Sequence, residues 1–300
     1  MKNLLVIGGT GFIGYHVIKE AKKRGFRVYS ISLNLPKKLR LHKGVKYLKV
    51  DITNYQQLKK KLNVNFVYVI NAGGYGTHPD FGKEGDKLIK NHFFGLVNII
   101  QVLNLKSVKK FIQIGSSLEY GKKKSPLKEI YKCNPNTPYS IAKFLSTTLL
   151  INLSKKKILP VTVLRLFQVY GPKQDSNRII PFLIKNCIKN RKFRTTKGLQ
   201  LCDFCHIEDV IRAIFKALNN KSKNGEIINI GSGKPIKIKN LIQLIIKLIG
   251  KGKPIIGALN YKKETNMKNY PNIQKAKRIL NWRPLIDINH GIEKTISSYK

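Results

Sequence analysis

The chain starts with a short apolar run, Leu4-Leu5-Val6-Ile7, that ends directly on Gly8-Gly9-Thr10-Gly11-Phe12-Ile13-Gly14. No other feature narrows the fold as much. A continuous apolar run closed by glycines reads as a strand buried on both faces. Residues 12–24 then follow a helical pattern that stops at Gly25. Glycines at 8, 11 and 14 leave room for a tight turn and for close approach of a pyrophosphate. The helix that follows aims its amides and the positive end of its dipole at that anion. A glycine triplet alone says little, but one set between a strand and a helix has the context a dinucleotide loop requires. Gly8, Thr10, Gly11, Phe12, Ile13 and Gly14 are the expected phosphate cradle.

The same alternation continues. Apolar runs at 27–33, 45–50, 66–71, 110–115 and 160–167 are separated by helical patterns near 55–62, 84–105 and 138–156. This predicts an α/β fold, a doubly wound parallel sheet of Rossmann type with helices on both faces. The second half is less regular. Helices are expected near 178–190, 207–219, 237–250, 272–280 and 288–299, and Glu226–Ile230 reads as one more buried strand. Loop-rich stretches at 168–178, 192–200 and 251–271 mark a smaller, interrupted α/β domain. The expected division is a dinucleotide-binding domain over 1–167, with 203–230 returning to it, and a mainly substrate-binding domain over 168–300.

Composition excludes several classes. At 300 residues, 42% hydrophobic and 24% charged, the chain has the make-up of a globular protein with an ample core. No apolar run is long enough to span a bilayer, and four apolar residues before Gly8 are too few for a secretory leader. The expected location is the cytoplasm. Four cysteines fit a reducing compartment. Cys202-x-x-Cys205 has zinc or redox spacing, but no second pair follows, so no metal is expected and residues 200–206 read as one short strand.

The net charge of +43 comes mostly from lysine, 48 Lys against 10 Arg. The lysines are scattered in short runs such as Lys59-Lys60-Lys61 and Lys122-Lys123-Lys124. Sharp nucleic-acid readers lean on Arg for bidentate contacts. The excess therefore reads as a solvated surface that attracts small anions, with no specific nucleic-acid partner and no membrane.

An Asp or Glu about 20 residues beyond the glycines normally holds the ribose 2′-hydroxyl of NAD. The second strand carries none. Ser32 takes that slot, and Lys37, Lys38 and Arg40 follow. With no carboxylate to repel a 2′-phosphate, NADP is expected in preference to NAD. Asp51, at the end of the third strand, either accepts from an adenine amino group or caps the helix near 55.

Residues 137–143 read Thr-Pro-Tyr-Ser-Ile-Ala-Lys. Thr137 and Pro138 suit a helix start. Tyr139 and Lys143, four apart, share one helix face. A free phenol has a pKa of about 10, and a neighbouring ammonium favours its ionised form. Such a pair can move a proton at a sugar hydroxyl or ketone. Upstream, strand 110–115 ends in Gly115-Ser116-Ser117-Leu118-Glu119-Tyr120-Gly121. A hydroxyl at a strand's carboxyl end faces the crevice where such sheets bind ligands, and either serine would polarise the reacting oxygen. The competing role for both is capping of the strand end.

These pieces, with Asp51-Ile52, Asn71-Ala72-Gly73, Asn91, Arg165 to Pro172, Arg178-x-x-Pro181, Asp203-Phe-x-His206-x-x-Asp209, Asn229 to Gly233 and Trp282-x-Pro284, resemble an extended short-chain dehydrogenase/reductase. The similar branch is that of nucleotide-sugar epimerases, dehydratases and reductases. The resemblance implies that Tyr139 is the acid/base and that Lys143 binds the nicotinamide ribose and tunes Tyr139. It implies a catalytic hydroxyl on Ser116 with Ser117 as helper, and an Asn91 that orders the lysine through water. It also implies that Ile52, Asn71, Ala72 and Gly73 line the cofactor. On the substrate side it points to Arg178 near a nucleotide diphosphate, Gln168 where Asn is frequent, and Lys262 where Arg is frequent.

The departures from the family pattern select among activities. The two positions after Ser116 are Ser117 and Leu118, not acids, which disfavours a dehydratase. Glu119 stands where an epimerase more often has Val, and the motif is similar to reductases of 4-keto-6-deoxy nucleotide sugars. The expectation is a homodimer that reduces such a nucleoside-diphosphate sugar with NADPH, Tyr139 giving the proton. The alternative is an epimerase with tightly bound NAD(P). Leu145, Leu149, Leu150 and Leu153 on the second helix suit either a dimer face or the core.

Overall fold

The computed structural model describes residues 1–74, 79–220, 224–261 and 265–299. Its largest sheet has seven strands: β1 (Asn3–Ile7), β2 (Arg27–Ser32), β3 (Lys46–Lys49), β4 (Tyr68–Asn71), β5 (Lys110–Ser116), β6 (Val161–Leu166) and β7 (Glu226–Ile230). Their order is β7-β6-β5-β4-β1-β2-β3, with parallel pairing from β3 through to β6. The doubly wound α/β expectation is met. The chain leaves β1 toward β2 on one side and returns to β4 on the other, so the carboxyl ends of β1 and β4 flank the switch point where such sheets take ligands.

Helices α1 (Phe12–Lys23), α2 (Tyr55–Lys61), α3 (Lys83–Ile89), α4 (Gly95–Val102) and α5 (Pro138–Lys155) follow the expected pattern with one exception. The single helix expected over 84–105 is broken by a π-helical turn, Lys90–Phe94, between α3 and α4. Such one-turn widenings recur at functional sites because they re-aim a side chain. A core of Leu5, Ile7, Ile31, Val69, Leu96, Ile99, Phe111, Leu150, Val161 and Val163 seals one face of the sheet. The leucine stripe of α5 divides: Leu150 is fully buried and Leu153 packs on the same core, whereas Leu145 is exposed.

Contacts divide the chain into two compact units. The first comprises 1–121, 129–166 and 211–228, and the second 122–128, 167–210 and 229–300. Within the second, α6 (Ile179–Ile188), α7 (Ile238–Ile249) and α8 (Ile288–Ser297) enclose a core with Leu183, Phe193, Leu241, Ile245 and Ile292. The stretches read as loops contain short strands: 168–170 pairs with 204–206, 192–194 with 253–255, and 201–202 with 236–237 and 268–269. Residues 200–206 are therefore not one strand. At Asp203 the chain passes from one ladder to the other, its N–H donating to Asn269 O at 3.1 Å and its carbonyl accepting from Gln168 N–H at 3.2 Å, while its buried carboxylate accepts from Ser232 N–H at 2.7 Å and Gly233 N–H at 2.6 Å. Cys202 and Cys205 fall on the two separate strands, neither in a disulfide. Burial pushes the Cys202 thiol up to about 11. Among the described residues no helix is long and apolar enough to cross a membrane, and no cluster of His, Cys, Asp and Glu suits a metal.

Candidate active site

At the carboxyl end of β1 the chain turns through Gly8, whose N–H donates to Ile31 O at 2.8 Å. Gly8 has φ +75°, and a Cβ there would lie 2.5 Å from Gly73 Cα. Gly14, in the first turn of α1, lets the helix press onto the loop: a Cβ would lie 2.2 Å from Gly8 O. Gly11 caps α1 without a side-chain bond, and the first turn holds no acid. A helix start of this kind, with glycine-width clearance in front of it, fits a pyrophosphate.

The residues expected around the ribose follow. Ser32 Oγ accepts from Thr10 N–H at 3.4 Å, and Arg40 Nη1 donates to Thr10 O at 3.2 Å. A hydroxyl and a guanidinium thus meet at the loop where a NAD site would carry a carboxylate. Asp51 Oδ1 accepts from Thr53 N–H and Oγ1 at 2.9 and 2.8 Å, an Asx-type turn. The capping reading of Asp51 is corrected: Asn54 caps α2, accepting from Gln57 N–H at 2.9 Å. Ile52 O is held by the Asn98 amide at 3.0 Å. Asn71 spans its neighbours, donating to Gln113 Oε1 at 2.9 Å and accepting from Gly73 N–H at 3.1 Å, while Ala72 N–H donates to Ile7 O.

The Ser–Tyr–Lys group sits on β5 and α5. Thr137 caps α5 in a capping box with Ser140, and Pro138 opens it, as the sequence indicated. One turn on, Lys143 is buried, and its Nζ donates to Ile114 O at 3.0 Å and lies 5.9 Å from the centre of the Tyr139 ring. Burial pulls the Lys143 amine down to about 8, opposed by Glu119. Ser116 ends β5, with Oγ accepting from Leu118 N–H at 3.2 Å. Its capping role is thus real, and it leaves the hydroxyl proton for another acceptor. Ser117 is also buried.

Asn91 lies on the π-helical turn. The Asn91 amide donates to Lys87 O at 2.6 Å, along its own helical face. The next residue, His92, is the buried one, and its ring stands edge-on to Tyr139. Sequence reasoning passed over it because the π-helical turn shifts the face by a residue. Gln168 and Arg178 belong to the second unit, Gln168 exposed at the start of a short strand and Arg178 as the N-cap of α6. Lys262 lies outside the described residues.

Residues 4–231 match the NAD dependent epimerase/dehydratase family. The chain belongs to that family. Members act on nucleotide sugars, and this chain is similar along its length to several. It is 29% identical to the UDP-glucuronate 4-epimerase of Thermodesulfobacterium geofontis, over 98% of this chain and 94% of that one. It superposes with a TM-score of 0.92 and 25% identity on the UDP-glucose 4-epimerase of Thermotoga maritima solved with UDP-glucose, covering 99% and 98% of the two chains. A UDP-glucuronic acid 4-epimerase variant of Bacillus cereus, solved with a fluorinated UDP-sugar and NAD, matches with a TM-score of 0.90 and 26% identity, covering 99% and 98%.

Proposed function

We propose that this family member is a 4-epimerase of a UDP-hexose or UDP-hexuronate. The observation that carries this reading is Tyr139 and Lys143 one turn apart on α5, with Ser116 at the end of the strand α5 packs on. They occur in a chain whose full-length relatives include UDP-sugar 4-epimerases. A nicotinamide dinucleotide, when bound, supplies a hydride acceptor and donor. The chain's own residues handle protons. The Tyr139 phenolate takes the proton of the sugar hydroxyl and later returns it. Lys143 holds that anion by its charge, and Ser116 donates to the same sugar oxygen. General acid/base help of this kind is worth roughly a hundred- to ten-thousandfold. The uridine diphosphate supplies orientation, which lowers the barrier further.

A second reading, reduction of a 4-keto nucleotide sugar by NADPH, is favoured by one observation: Ser32 and Arg40, not a carboxylate, stand at Thr10. The two are separated by incubating the enzyme with UDP-glucose and UDP-glucuronate plus NAD, and with a 4-keto-6-deoxy nucleotide sugar plus NADPH. Formation of the C4 epimer without net cofactor reduction supports the epimerase. Oxidation of NADPH by the keto sugar, with no epimer formed, replaces it by the reductase. The proposal includes a homodimer through exposed Phe94 and Leu145 beside α4 and on α5. A monomeric mass by light scattering overturns that part.

A further inference from the structure

Beside Ser116 lies a charged pair to which the chemistry above gives no task. Glu119 is 0% exposed. Its Oε1 accepts from Ser116 N–H at 2.8 Å, and its Oε2 accepts from Arg165 Nε at 2.9 Å. Both oxygens accept, which is the hydrogen-bond pattern of the anion; burial pushes the Glu119 carboxyl up from the ordinary carboxylate range, and the Arg165 charge and these hydrogen bonds oppose it. The surroundings are shaped for it. The β5–β6 register sets Arg165 beside Gly115, and a Cβ on Gly115 would stand 2.7 Å from Glu119 Oε1. The Arg165 guanidinium covers the Tyr120 ring at 4.6 Å. Immediately before Gly115, Ile114 O is the acceptor of Lys143 Nζ. Three consecutive residues of β5 thus tie Lys143, the gap and Glu119 together. Burying an ion pair is expensive, and apolar replacements of similar volume are often neutral or better for the fold. Stability alone is a weak reason for this pair.

We propose that Glu119 is a positioning residue: clamped by Arg165, it fixes the Ser116 backbone and serves as the counter-charge that keeps Lys143 an ammonium. Burial acts on Lys143 in the opposite direction, and Glu119 is the charge that resists it. The other titratable groups facing the cluster are Tyr139 on α5 and Tyr120 and Cys133 around Arg165. The inference rests on the reading that Lys143 holds the cofactor ribose, and it is independent of which sugar is turned over.

The test is the affinity for NADH, followed by its fluorescence, as a function of pH. Wild type, Glu119→Gln, the double variant Glu119→Met with Arg165→Met, and Lys143→Met are compared. Wild type should lose affinity as pH rises through about 8, where Lys143 gives up its proton. Lys143→Met should show no such break. In Glu119→Gln the break should move about one unit or more to lower pH, since a favourable charge is gone. Should Arg165, left unpaired, prevent folding, the double variant carries the test, with thermal unfolding near wild type and the break still shifted. Superimposable curves for wild type and a folded Glu119 variant overturn the proposal, as does a wild-type curve with no break. Because NADH needs no sugar, a failed epimerase assay leaves this result standing.

Discussion

The imidazole of His92 stands edge-on to the ring of Tyr139, the centroids 5.4 Å apart and the planes at 89°. The π-helical turn delivers it, and Ser146 Oγ holds its carbonyl at 3.2 Å. Gly74, at φ +118°, makes the room: a Cβ there would lie 1.8 Å from the imidazole. An edge-to-face contact is worth about 0.5–1.5 kcal/mol, enough to hold the phenol in one rotamer. His92→Ala should lower kcat about tenfold with KM for the sugar little changed, and His92→Phe should recover most of it. Equal kcat in wild type and His92→Ala would remove His92 from the site.

On the proposed mechanism, Tyr139→Phe removes the proton that moves. Turnover should fall by roughly a hundred- to ten-thousandfold, with thermal stability near that of wild type. Retained turnover in this variant would mean that another group carries the acid/base step.

Gly14→Ala places a methyl against the backbone of the phosphate loop. Relief requires α1 and the loop to separate, at a cost of about 1–3 kcal/mol. Dinucleotide affinity should drop at least about tenfold in a fluorescence titration, since the helix start no longer meets the pyrophosphate. Unchanged affinity would place the cofactor elsewhere.

Ser32→Asp puts a carboxylate beside Thr10 and Arg40. The preference between NADPH and NADH should swing toward NADH by on the order of tenfold or more, through repulsion of the 2′-phosphate. An identical ratio of dissociation constants before and after the change would dissociate Ser32 from the ribose.

In the second unit His206 is fully buried, with Nδ1 accepting from Glu208 N–H at 3.3 Å. Burial lowers its pKa to about 4, so the folded chain binds fewer protons than the unfolded one between about 4 and 6.5. Its contribution is fully present above 6.5 and is lost as pH falls toward 4, on the order of 3 kcal/mol in all. Urea midpoints should fall over that window in wild type and fall less in His206→Phe. Parallel declines would assign the acid sensitivity to other groups.

Local signals were legible wherever chemistry and structure share a short stretch of chain. The glycine loop needs only a strand, seven residues and a helix. Tyr139 and Lys143 meet through helical spacing, and Thr137 with Pro138 marks where that helix begins. The settings that sequence reading did not foresee are those that depend on a distant partner. Asn91 was named on motif position, yet a widened helical turn brings His92 to the phenol. Asp203 fell inside what reads as one strand, yet a backbone turn near 232 takes its carboxylate.

From its sequence alone this chain was bound to form an alternating parallel sheet with a dinucleotide loop and a Tyr–Lys helix, because apolar period, glycine spacing and capping residues act within one turn or one strand. Only the tertiary structure decided that Glu119 would be a buried carboxylate paired with Arg165. Its partner Arg165 is 46 positions away on the neighbouring strand, and the space for it is the missing side chain of Gly115. A charge can lie there only because strand register delivers an opposite charge to the same point, and register belongs to the assembled sheet, not to any one segment.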